Sequence, residues 1–218
     1  PTSRPRTQDN SANHVSSYIL VELAKLQSKV TKNDWVMIFF AGHAKSDLVY
    51  SYYFLPWDYD HSYPHATQIS EYDIAAHLRG IKGKKLLIMD TCYAGNLANS
   101  PIRSVGDGGG RRSLPLRDVR SYAERLIEID PGLILFAASS LDQTARESDR
   151  LGHGVFTSAL LEALSSPGRF ANRRYSGALT VLDIRDWIEE EVVRQSRDRQ
   201  RPIIVGRADL VRAPFWQV

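Results

Sequence analysis

The chain contains a single cysteine, Cys92, and six histidines. Cys92 follows the apolar run Leu86, Leu87, Ile88, Met89 and stands two residues after Asp90, in the stretch KKLLIMDTCYAGN (84–96). A second apolar run, WVMIFFAGH (35–43), ends at His43. A thiol and an imidazole brought together make a nucleophile and its proton carrier. Free cysteines are most often small buried hydrophobes, but Cys92 falls where its run is leaving the core. His43 alone would read as a capping or packing residue. Its rival is His153, in GHG, just before an expected helix. A helix N-terminus disfavours an imidazolium, and a thiol's partner must spend part of its cycle protonated, so His43 is the better partner. His14, His61, His65 and His77 fall in expected loops or on helix faces and read as structural or solvated.

Two runs that are short and apolar on both faces suit central strands of a parallel sheet. In such sheets ligands bind beyond the carboxyl ends of the strands. If the two strands are neighbours, His43 and Cys92 share one rim. Side chains alternate along a strand, so Asp90 lies on the same face as Cys92. Between the runs, residues 50–60 read as a hairpin strand broken at Pro56, and 69–81 as an amphipathic helix opened by a Ser70–Asp73 capping box. Strand, helix and strand then form a right-handed crossover. Helices are expected at 14–30, 119–128, 154–164 and 181–196, and further strands at 132–140 and 201–206. The expected class is α/β with a mostly parallel sheet.

The paired stretches FFAGHA and LLIMDTCYAG resemble the caspase-like cysteine peptidases. The likeness is closest to the metacaspase and bacterial orthocaspase branch, whose strands end in Ser-Gly-His-Gly and Asp-Ser-Cys-X-X-Gly. The His-to-Cys separation matches the roughly 50 residues known for caspases. SSLDQTARES (139–148) is similar to the Asp-X-Gln-Thr-Ser stretch of that family, and the resemblance spans residues 13–206. It implies a caspase-like α/β/α sandwich with His43 and Cys92 as the catalytic dyad. It further implies an oxyanion held by backbone N–H groups of Cys92 and of the stretch around His43, including Gly42 and Ala44. Asp90 then lines a pocket selecting Arg or Lys before the cut bond, with Asp142 and Glu147 as weaker candidates for the same pocket. Three departures stand out. Ala41 replaces the family's Ser and Ala44 its Gly, the latter straining the loop if φ must be positive there. The family's first strand-helix-strand is lacking.

The resemblance divides the chain into a polar arm (1–12), a large-subunit-like part (13–98), a Gly/Arg-rich linker (99–118) and a small-subunit-like part (119–218). The linker GGGRRSLP presents Arg111 and Arg112, where a basic-specific protease would cut itself. The chemistry requires no cofactor; calcium activation is implied by family analogy alone, and the spacing of Asp58, Asp60 and Asp90 matches no calcium loop. No metal site is expected, as there are no paired cysteine ligands. Expected partners are a protein or peptide substrate and a regulatory domain or missing N-terminal segment.

Of 218 residues, 43% are hydrophobic and 24% charged, which suits a globular chain with a sizeable core. A net charge of +3 argues little for nucleic acid, and the arginine-rich stretch RQSRDRQRP lacks interleaved aromatics. The lone cysteine and polar start point to the cytoplasm, without membrane association. Pro1 in place of methionine points to a processed product or fragment. The rival reading is an inactive or partner-switched caspase-like scaffold.

Overall fold

The structure, a computed structural model, describes residues 15–46, 52–93, 119–138, 147–148, 153–165 and 178–217. Its centre is β4 (Lys84–Tyr93), where Leu86, Leu87, Ile88 and Met89 are each at most 2% exposed. Burying such a side chain contributes about 1.5–3 kcal/mol. Burial on both faces needs cover on both, and β4 has it. It pairs in parallel with β1 (Trp35–Ser46) on one side and β5 (Leu133–Ala137) on the other. The sheet continues through β2 (Tyr52–Leu55) and β3 (Ile69–Ser70) at one edge and β9 (Ile203–Gly206) at the other. Its order is β3-β2-β1-β4-β5-β9. The expected hairpin at 50–60 is the antiparallel pair of β1 and β2. β9 runs antiparallel to β5, so the parallel part is the centre of a mixed sheet.

Alternation sends Ile38, Phe40, Leu87, Met89 and Leu135 into one core and Leu86, Ile88, Ile134 and Phe136 into another. Helices α1 (Val15–Lys29), α3 (Glu71–Gly80) and α4 (Val119–Ile129) cover the first through Leu23, Ile74, Leu78 and Leu126. Helices α5 (Val155–Ser165), α6 (Val181–Ser196) and the short α7 (Ala208–Val211) cover the second through Phe156, Leu160, Ile184 and Leu210. The result is an α/β/α sandwich. Ser70 caps α3 as its sequence predicts: its hydroxyl accepts from the Asp73 amide, and the Asp73 carboxylate accepts from the Ser70 amide. Thr180 and Asp183 make the same box at α6.

Several elements are not announced by periodicity: the one-turn helix α2 (Pro64–Thr67), the ribbon β6 (Glu147–Ser148) with β7 (His153–Gly154), and β8 (Ala178–Thr180) with β10 (Pro214–Gln217). All are too short to carry a period. No helix among the described residues is long and apolar enough to cross a membrane.

One expectation fails in part. The run 35–43 reads as apolar on both faces and therefore covered on both, yet Met37 is 42% and Phe39 45% exposed. They share the α5–α6 face, but the residues buried there come mainly from β4 and β5. β2 pairs only with His43–Ser46, so the outer edge of Trp35–Gly42 has no strand partner among the described residues.

At the amino end of β4, Lys85 is 2% exposed. Its Nζ donates to the carbonyls of Ile81 (2.8 Å) and Gly83 (3.0 Å) and pairs with Asp130 Oδ2 at 3.0 Å. Two ammonium protons therefore have carbonyl acceptors, and the charge is offset by the Asp130 carboxylate. Asp130 also accepts from the Gly132 amide at 3.0 Å, which ties the turn before β5 to β4. Removing one partner leaves a buried charge uncompensated, so Lys85→Ala is expected to lower stability by about 3–5 kcal/mol in denaturant unfolding. A loss below about 1 kcal/mol would contradict this account.

Candidate active site

The register of β1 on β4 aligns Ala41 with Asp90, Gly42 with Thr91, His43 with Cys92 and Ala44 with Tyr93. Neighbouring strands lie about 4.8 Å apart, so the backbones of His43 and Cys92 are direct neighbours. Partners in a parallel pair point to the same face. Ala41, His43 and Asp90 thus continue the row begun by Leu86 and Ile88, on the α5 side of the sheet, with Cys92 at the next backbone position in register with His43. Both strands run past these residues, β1 to Ser46 and β4 to Tyr93, so His43 and Cys92 are held inside the ladder and not in loops beyond it.

Gly42 has φ +145, the one positive φ among the described glycines. A Cβ there would meet the Phe54 ring at 3.6 Å, an ordinary contact, so the constraint is torsional and not spatial. Ala44, where the sequence raised the question of positive φ, is not among the described positive-φ residues and is fully buried. The unusual torsion precedes the histidine instead of following it.

Around this pair the chain supplies anchors that sequence reasoning missed. The Tyr52 and Thr91 hydroxyls are 2.7 Å apart and buried, joining β2 to β4 beneath Gly42. Lys45 Nζ donates to Tyr59 Oη at 2.7 Å and lies 4.8 Å from that ring's centre. Thr157, in the first turn of α5, donates its hydroxyl to Asp90 Oδ2. No sequence signal links these pairs, because their members stand 39, 14 and 67 residues apart.

The remaining candidates separate. His153 pairs with Ser148 in the small ribbon before α5, outside the six-stranded sheet. Glu147 pairs with Gly154 in the same ribbon. Asp142, Arg111, Arg112 and His14 lie outside the described residues. His77 Nδ1 lies 2.8 Å from the Asp73 carbonyl on α3, to which its N–H donates, and His65 lies in α2. His61 and His65 have the four-residue spacing of helical metal ligands, but His61 precedes α2 and packs edge-on against Tyr59. Asp58 Oδ2 accepts from the Val15 amide at 2.8 Å, and Asp60 accepts from the Ser62 amide. These carboxylates serve a helix start and a turn. Among the described residues no group of three or more His, Cys, Asp or Glu could hold a metal ion.

Beside His43 a groove of about 590 Å³ opens between the start of α1 and the end of β2. Val15, Ile19, Phe54, Pro56 and Trp57 make it largely apolar, and Gly42 and His43 form one wall. His43 is itself exposed. The register therefore sets an accessible histidine beside the backbone of Cys92.

The profile of the caspase domain matches residues 11–209. A solved structure, protein GSU0716 from Geobacter sulfurreducens, is similar in fold, with a TM-score of 0.55 and 16% identity over 93% of this chain and 78% of that one. No curated protein matches the chain.

Forcing a side chain into the Gly42 torsion costs about 1–3 kcal/mol. Gly42→Ala should lower unfolding stability by that amount, whereas Ala44→Gly should not raise it. An unchanged Gly42→Ala midpoint in urea would count against a torsional role for Gly42.

Proposed function

Because the chain belongs to the caspase-domain family, we propose that it is a cysteine endopeptidase in which Cys92 is the nucleophile and His43 the proton carrier. The observation that carries this reading is the direct backbone register of His43 with Cys92 on adjacent parallel strands. His43 takes the thiol proton, and the Cys92 sulfur forms a bond to the peptide carbonyl carbon. The tetrahedral oxygen accepts from backbone N–H groups of Cys92 and of the stretch around His43. His43 then gives its proton to the leaving amine as the C–N bond breaks. Water attacks the acyl-enzyme, and the thiol is regenerated. No metal or cofactor enters these steps.

Asp90 gives the reading its specificity. It lies one alternation below Cys92, where a carboxylate can receive a guanidinium or ammonium from the residue before the cut bond. Ala41, in register beside it, is small and exposed, which leaves room for a long basic side chain. The proposed substrates are therefore proteins or peptides cut after Arg or Lys. The linker residues Arg111 and Arg112 are candidate sites of self-cleavage on the same logic. The rival reading, a scaffold or partner-switched module, draws support from the exposed Met37 and Phe39 beside an edge unpaired among the described residues.

Fluorogenic peptides ending in Arg or Lys, assayed with and without Ca²⁺, test the reading. Cys92→Ala and His43→Ala should each lower kcat/KM by roughly 10³-fold or more, and iodoacetamide should label Cys92. No turnover in any condition, together with an unlabelled Cys92, would favour the scaffold. Asp90→Ala should abolish the preference for basic residues; unchanged Arg and Lys cleavage would remove the specificity argument and leave the dyad standing. Mass spectrometry of wild type against Cys92→Ala reads self-cleavage: a cut at Arg111 or Arg112 is expected in the first alone.

A further inference from the structure

Resting on the reading of Asp90 as the carboxylate that receives a basic side chain, we propose that Thr157 is a positioning residue for that specificity. Its hydroxyl donates to Asp90 Oδ2 from α5, across 67 residues of sequence. Both side chains are half-buried, so the contact lies at the edge of the core. Each is carried by an element whose neighbours are fixed. Ile88, two residues below Asp90, is fully buried. Val155 and Phe156, just before Thr157, are 5% and 0% exposed. The pocket carboxylate is therefore tied to a rigid helix through one hydroxyl.

The residue types suit this task. Threonine is stiff at χ1, so its hydroxyl direction varies little. A hydroxyl is a neutral donor, and it holds one carboxylate oxygen without cancelling the charge that must attract the substrate. On the neighbouring strand stands the small, exposed Ala41, in register with Asp90. Thr157 thus fixes one oxygen of Asp90 from the helix side. Ordering the carboxylate beforehand lowers the entropy lost when a guanidinium binds.

The test separates binding from chemistry. In the full chain carrying Cys92→Ala, affinity for a peptide ending in Arg is measured by calorimetry, beside the same peptide ending in uncharged citrulline. Thr157→Val keeps the shape and removes the hydroxyl. It should weaken the Arg peptide by about tenfold, the worth of one hydrogen bond to a charged group, and leave the citrulline peptide unchanged. Thr157→Ser should restore the Arg affinity, which a merely structural defect would not allow. In the Cys92 enzyme the same loss should appear in KM, with kcat changed less than about threefold. Equal Arg affinity in Thr157→Val and its parent, with Asp90→Ala still weakening it, would overturn the role of Thr157 and spare the pocket. An Arg peptide that binds no better than citrulline in the parent, or binds unchanged in Asp90→Ala, would overturn the pocket reading itself.

Discussion

The fold depends on the parallel, in-register pairing of β1 with β4. Ten consecutive residue pairs align, from Trp35 with Lys84 to Ala44 with Tyr93. A slip of one residue would turn every side chain of one strand to the opposite face. His43 and Cys92 would then point to different layers. Such a slip is prevented by burial and not by the site itself. Leu87 and Met89 must enter one core and Leu86 and Ile88 the other, and each has closely packed helices waiting. The hydroxyl pair of Tyr52 and Thr91 adds a polar register mark just below Cys92. The apolar body of the strand thus sets a geometry that its polar end uses.

The two ends of β4 carry charge in opposite ways. At the amino end, Lys85 donates to two backbone carbonyls and forms an ion pair with Asp130, whose other carboxylate oxygen accepts from the Gly132 amide. At the carboxyl end, Asp90 is half-buried beside an exposed Ala41 and is held by a hydroxyl. The Lys85 and Asp90 positions lie about 17 Å apart along one strand at the usual rise per residue.

The centre of this architecture was legible in the sequence because its signals are local. Unbroken apolar runs mark β1, β4 and β5, and the Ser70–Asp73 box marks the start of α3. The neighbour relation of His43 and Cys92 was an inference from two strand ends, and the register supplies it residue by residue. What the sequence hides is non-local. The partner of Asp90 is a threonine in an ordinary helical stretch, GVFTSALLEAL, with nothing to mark it. The exposure of Met37 and Phe39 cannot be read from their own run, since it depends on what packs over them. The unusual torsion stands at Gly42 and not at Ala44, which its neighbours in sequence do not announce.

The route of the chain bears on the proposed cut. It leaves β4, passes the linker at 99–118, and returns through α4 to β5, the strand beside β4. The connection is therefore between elements that already touch. Arg125 on α4 pairs with buried Glu71 on α3 at 3.0 Å, and Lys85 on β4 pairs with Asp130 after α4. Both ion pairs span the linker, as do the five register pairs of β4 with β5. Loss of covalent continuity between Arg111 and Arg112 would remove none of these. The conserved quantity through such a cut is the β1–β4–β5 ladder, so the alignment of His43 with Cys92 does not require the linker to be whole. What a cut would release is the tether between the end of β4 and α4.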